Sequence, residues 1–116
     1  MDRVNLINKK DDQITVIINV LLYKEDNIWV AYCPALDLSS YGDTEDEARD
    51  AFHEAVDIFI QETERKGTLE KVLLSLGWTL RKAPKAEYCP TKLPGIYKQL
   101  LSQGAQKLKE QVSLPV

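Results

Sequence analysis

Between Ile28 and Glu47 the chain reads Ile-Trp-Val-Ala-Tyr-Cys-Pro-Ala-Leu-Asp-Leu-Ser-Ser-Tyr-Gly-Asp-Thr-Glu-Asp-Glu, and the order of residue types in that stretch leaves few folds open. The β-branched and aromatic residues from Ile28 to Cys33 predict a strand, and Pro34, which has no N–H to give to a ladder, ends it or marks an edge. Leu36 to Tyr41 predicts a shorter strand closed by Gly42, the residue that most easily adopts positive φ. Asp43 to Glu47 then opens a helix. Thr44 and Glu47 have capping-box spacing, so hydroxyl and carboxylate can each satisfy an unpaired backbone N–H. The carboxylates of this first turn also oppose the positive end of the helix dipole.

Upstream, Ile14, Val16, Ile18, Val20 and Leu22 alternate along one face of a first strand. The other face carries Thr15, Ile17, Asn19, Leu21 and Tyr23 and is too apolar to be left wholly in water. Lys24 to Asn27 is a polar connection of hairpin length. Downstream, Ala48, Ala51, Phe52, Ala55, Val56 and Phe59 give the helix a broad apolar face, and Gly67 follows Arg65 and Lys66 at its end. Thr68 is placed to cap a short second helix carrying Leu69, Val72, Leu73 and Leu76, stopped by Gly77. Trp78 to Arg81 predicts a fourth strand returning to the sheet. Residues 82–94 hold three prolines and little periodicity, the signature of a linker or extended arm. Beyond them Leu93, Ile96, Tyr97, Leu100, Leu101, Ala105, Leu108 and Val112 predict a last amphipathic helix, with its own domain, a second copy or a partner to lie on.

The predicted architecture is therefore α+β: a three- to four-stranded antiparallel sheet with a long and a short helix on one face, in the order β-β-β-α-α-β, plus a C-terminal helix. At 116 residues the chain suits one core that buries roughly two-thirds of the surface an unfolded chain exposes. We divide it into residues 1–82, the α+β domain, and residues 83–116, the proline-containing linker and amphipathic helix. Asp2, Arg3, Lys9 and Lys10 interrupt any signal-peptide core at the start, and no run is long enough to span a bilayer, so the expected location is the cytoplasm with no membrane contact.

Charge is unevenly placed. Residues 1–78 hold 8 Lys/Arg against 16 Asp/Glu, a net of −8, and residues 79–116 hold 7 against 2, a net of +5. An acidic body suits a basic partner or solubility, and a basic tail suits an acidic partner or nucleic acid. Arg81, Lys82, Lys85, Lys92 and Lys98 are the candidate nucleic-acid contacts. Tyr23, Trp29 and Tyr32 are either core residues or interface anchors, because aromatics serve both roles.

No residue pattern supplies a nucleophile with its base, a metal-ligand set or a phosphate loop. Cys33 and Cys89 are too few and too far apart for a disulfide framework or a zinc site and read as buried or half-buried free thiols. His53, the only histidine, stands without a nearby Ser or Cys, at the edge of the apolar helix face. Asp37 and Asp43 flank the third strand in turn or capping positions. We expect no catalytic residue, cofactor or metal, and hence a binding protein and not an enzyme.

Residues 14–81 resemble the HicB antitoxin family. The resemblance rests on Trp29-Val30-Ala31-Tyr32-Cys33-Pro34-Ala35-Leu36-Asp37-Leu38, on Tyr41-Gly42-Asp43-Thr44, on Glu47-Ala48, and on the Gly-Thr-Leu and Gly-Trp pairs of the second helix. It implies a truncated ribonuclease H-like domain that masks a small basic RNA-cleaving toxin of the HicA type. It also implies a homo-oligomer, dimer or tetramer, that represses its own operon through a C-terminal DNA-binding module. On that reading Tyr23, Trp29, Tyr32, Asp50, Glu54 and Asp57 are the candidate toxin contacts. The chain departs from the family pattern after the domain, where residues 82–116 predict one helix and no helix-turn-helix or ribbon-helix-helix. Asp37-Leu38-Ser39 also replaces a Pro-Gly-Cys bend. Two alternatives stay open: an orphan oligomeric module without toxin, and a DNA-binding autorepressor acting through the basic C-terminal segment.

Overall fold

The computed structural model of the chain describes residues 13–91, 95 and 97–116. It is an α+β protein. Strands β1 (Gln13–Glu25), β2 (Ile28–Cys33) and β3 (Leu38–Gly42) are followed by α1 (Glu45–Lys66), α2 (Leu69–Ser75), β4 (Thr79–Arg81), β5 (Glu87–Cys89), α3 (Tyr97–Ser102) and β6 (Gln106–Pro115). The main sheet has four antiparallel strands in the order β3-β2-β1-β6, packed against α1, and β4 pairs with β5 in a separate two-stranded sheet.

The hairpin joining β1 to β2 turns on Asp26 and Asn27, both at positive φ (51° and 68°). Two consecutive left-handed residues match the right-handed twist of the flanking strands, which is why Asn and Asp are favoured there. The turn sets the register Leu21 opposite Tyr32 and Tyr23 opposite Val30. Val16, Ile18, Val20 and Leu22 therefore face α1 with Ala31 and Cys33, and all six are buried.

Thr44 caps α1 as expected, its hydroxyl accepting from the N–H of Glu47 at 3.1 Å, while the Glu47 carboxylate accepts from the N–H of Asp43, one residue earlier than the usual box. Ala48, Phe52 and Val56 fill the buried side of the helix. Gly67 ends it at φ 67°, with the N–H of Thr68 bonding back to the carbonyl of Thr63. Gly42 is glycine for a different reason from the one expected. Its φ is not in the left-handed region; a Cβ there would lie 2.5 Å from the backbone nitrogen of Ala48, so the close approach of β3 to the helix requires a missing side chain. Thr68 also differs from expectation, since its side chain makes no capping bond to α2.

Two corrections concern the second half of the chain. Trp78 to Arg81 does not return to the main sheet: Thr79, Leu80 and Arg81 pair with Cys89, Tyr88 and Glu87. Trp78 is instead buried under the β2–β3 connection, where its indole N–H donates to the carbonyl of Ala35 at 2.8 Å. The predicted last helix is confined, among the described residues, to Tyr97–Ser102, and Leu93 and Ile96 of that prediction lie outside them. Residues 106–115 form a strand that runs along β1 from Gln13 opposite Pro115 to Leu22 opposite Gln106. Segment 83–116 thus supplies a strand to the same sheet as β1. Val112 and Leu114 join the core, with Leu108 half-buried against it.

Candidate protein-interaction surface

Pairing parity decides where each candidate side chain goes, because residues opposite one another in a ladder share a face. Tyr23, opposite Val30, and Tyr32, opposite Leu21, lie on the face of the sheet away from α1. Trp29, opposite Lys24 and Gly42, lies on the α1 face and packs against the core. Asp50, Glu54 and Asp57 follow one another at four and three residues and are all exposed on α1. The six candidate toxin contacts are therefore split: three carboxylates on the outside of the helix, two tyrosines behind the sheet, one tryptophan at the core.

The helix surface is the more coherent of the two. Asp46, Glu47, Asp50, Glu54 and Asp57 are exposed along it, and Ile58, 53% exposed, stands among them. Of its cations, Arg65 is held by Glu62 at 2.9 Å and Arg49 leans on Glu110 of β6 at 3.6 Å. Hydrogen bonding from Arg65 lowers the Glu62 carboxyl below its usual range. Asp50, Glu54 and Asp57, which make no ion pair among the described residues, stand beside one exposed aliphatic side chain, a surface that attracts a cationic protein and offers it an apolar anchor.

The rear face is partly closed by α3. The rings of Tyr97 and Tyr32 lie 5.6 Å apart, the Tyr97 hydroxyl donates to that of Tyr32 at 3.1 Å, and Tyr32 donates to the Asp37 carboxylate at 3.1 Å. Burial first, then these two hydrogen bonds, push the Tyr32 phenol well above its ordinary range. Asp37 sits at φ 52° in the β2–β3 turn, the role its position suggested, and its N–H bonds the carbonyl of Pro34. Near α3 Leu21 and Val30 are buried, whereas Ile17 further along β1 is 55% exposed.

Among the described residues the basic candidates do not assemble. Arg81 is ion-paired with Glu87 across the small hairpin, and Lys82 with Glu70 of α2, whose hydrogen bond raises the lysine pKa. Lys85 and Lys98 are exposed in the β4–β5 turn and on α3, and Lys92 lies outside the described residues. Sequence reasoning missed Lys107 and Lys109, which stand exposed on the rear face of β6 opposite Leu21 and Asn19. The signal was available in the alternation of Leu108, Val112 and Leu114 with polar residues, which places both lysines on one side of a strand.

Among the described residues no group of three His, Cys, Asp or Glu side chains is placed to hold a metal ion. His53 is exposed and bonds Glu110 at 3.1 Å. Cys33 is buried and its thiol is pushed up to about 11, chiefly by desolvation, although backbone N–H groups of Leu36 and Ala35 act the other way. Cys89 is exposed, contrary to the half-buried thiol expected. In the native protein at pH 8 only Cys89 is therefore expected to react rapidly with a disulfide reagent, and Cys33 only after denaturation, because the thiolate is the reactive form. Two fast-reacting thiols in the native state would contradict the burial of Cys33.

No helix among the described residues is long and apolar enough to cross a membrane. No family model matches the chain, and no curated protein or solved structure matches it with significance.

Proposed function

We propose that the chain is an antitoxin-like binding protein that masks a small basic RNA-cleaving toxin, with α1 as its principal contact. The observation that carries this reading is the exposed row Asp50, Glu54, Asp57 around Ile58 on a helix whose opposite side is fixed to the sheet by Ala48, Phe52 and Val56. Carboxylates on a rigid element keep their spacing, so a cationic partner meets a preformed pattern, and its encounter is accelerated by the long-range field. The anchor is Ile58, since desolvated apolar contacts at the centre of a charged surface supply most of the affinity. In this reading the protein is cytoplasmic and acts by covering its partner, without chemistry of its own.

The test is an RNA-cleavage assay of any small basic protein found encoded beside this chain, with and without the chain present. Stoichiometric suppression of cleavage is the expected result. Undiminished cleavage in the presence of excess chain would overturn the proposal. The triple variant Asp50→Lys, Glu54→Lys, Asp57→Lys, whose changes are confined to exposed positions, is expected to keep its thermal stability and lose suppression.

A further inference from the structure

The strand order β3-β2-β1-β6 leaves β6 at an edge, and among the described residues nothing pairs with its outer side. This edge is ten residues long, against five for β3 at the other. A free edge of that length presents a row of N–H and C=O groups able to template another strand. A peptide that adds itself to such an edge takes its affinity from the main chain and its specificity from alternate side chains. The two faces of β6 therefore decide which side chains it accepts.

On the helix side, a groove of ≈ 350 Å³ runs beside the strand between Val112 and the α1 residues Phe52, Val56 and Ile60. Of the polar groups in its lining, His53 and Glu110 satisfy each other at 3.1 Å, and Asp57 stands exposed to water. Side chains of an added strand that point this way are apolar. On the other face, ladder parity sets Lys107 and Lys109 in one row with Gln111 and Ser113, all four exposed. Neither lysine makes an ion pair among the described residues. Opposite charges facing each other across a ladder stabilise it, and like charges oppose pairing. Lysines on an edge turn away strands in general, and they admit one that brings acidic residues in phase with them.

We infer that β6 receives an extended segment of another protein in which apolar and acidic residues alternate, the apolar ones filling the groove and the acidic ones meeting Lys107 and Lys109. The lysine face of β6 carries no acidic residue of its own, so a second β6 brings these lysines no complement. The inference does not rest on the function proposed above. A cationic partner is drawn to α1 and repelled by this face, so the two readings fail separately.

The test is the fluorescence anisotropy of a labelled peptide, Leu-Thr-Val-Thr-Val-Glu-Val-Glu, titrated with the full chain. Paired antiparallel from Leu114 back to Lys107, it points its leucine and valines into the groove and sets its glutamates opposite Lys109 and Lys107. Saturable binding is expected. The variant Lys107→Glu, Lys109→Glu is expected to melt at the wild-type temperature, to bind this peptide about 10-fold more weakly, and to prefer the same peptide with lysine in place of glutamate. N-methylation of one alternate set of peptide nitrogens is expected to abolish binding and methylation of the other set to spare it, because only one set points at β6. A full chain that leaves the peptide free, whatever holds the edge, overturns the inference. So does equal affinity of the wild type for the glutamate and lysine peptides, or equal tolerance of both methylated forms.

Discussion

A chain ending at Gly104 is expected to give no cooperative unfolding transition and to lose most of its far-ultraviolet β signal. Removing β6 strips from the core the side chains of Val112 and Leu114, which are 7% and 0% exposed, and the half-buried Leu108. Each such side chain stabilises by about 1.5–3 kcal/mol when fully buried. Their sum is comparable with the roughly 5–15 kcal/mol that holds an ordinary domain together. The loss is larger still, because β1 would become an edge with its N–H and C=O groups unpaired from Gln13 to Leu22. Circular dichroism with thermal melting checks this. A truncated chain that melts cooperatively near the full-length temperature would mean that β6 is an accessory and that residues 13–82 fold on their own.

Phe52→Ala is the point substitution with the largest expected cost. Phe52 is 1% exposed, the largest of the fully buried side chains, and faces the sheet from the middle of α1 between Ala48 and Val56. Truncating a buried phenylalanine removes its transfer free energy and leaves a cavity, together about 3–5 kcal/mol. The sheet is held by its ladder and cannot move in to fill the space. Chemical denaturation should show a much lower midpoint with little change in slope. A loss below about 1 kcal/mol would contradict the packing described, because it falls outside the range for such truncations.

The first half of this fold was legible because local chemistry and tertiary structure agree there. The alternation of β1, the Asp26–Asn27 turn, the Thr44 cap and Gly67 each have a local cause that operates in the folded protein too. Gly42 was placed correctly for the wrong reason, since its requirement comes from the backbone of Ala48, six residues on and in another element. The end of the chain failed for a reason of arithmetic. Leu108 and Val112 are four residues apart, a spacing that satisfies a helix of 3.6 residues per turn and also a strand with a period of two. Leu114 breaks the tie in favour of the strand, and the partner that stabilises it, β1, lies at the other end of the sequence. Trp78 was likewise drawn away from the main sheet by a tertiary bond, to the carbonyl of Ala35, that no local pattern announces.

The candidate surface divides along the same line. Asp50, Glu54 and Asp57 were readable because helical spacing places them opposite Phe52 and Val56, whatever the rest of the chain does. The aromatic trio was not, because one residue of register exchanges the faces of a strand: Trp29 is at the core, and Tyr23 and Tyr32 are behind the sheet under the influence of α3.

The most direct test of the central claim, that α1 presents an acidic contact surface for a basic partner, is the association rate of the chain with any small basic protein found encoded beside it. It should be measured at low and high ionic strength for the wild type and for the Asp50→Lys, Glu54→Lys, Asp57→Lys variant. The account predicts a wild-type rate that falls steeply with salt, and a variant whose rate at low salt is lower by about 10-fold or more, since steering by such a field raises on-rates by 10 to 10³. Equal rates for the two proteins, or a wild-type rate insensitive to salt, would contradict it.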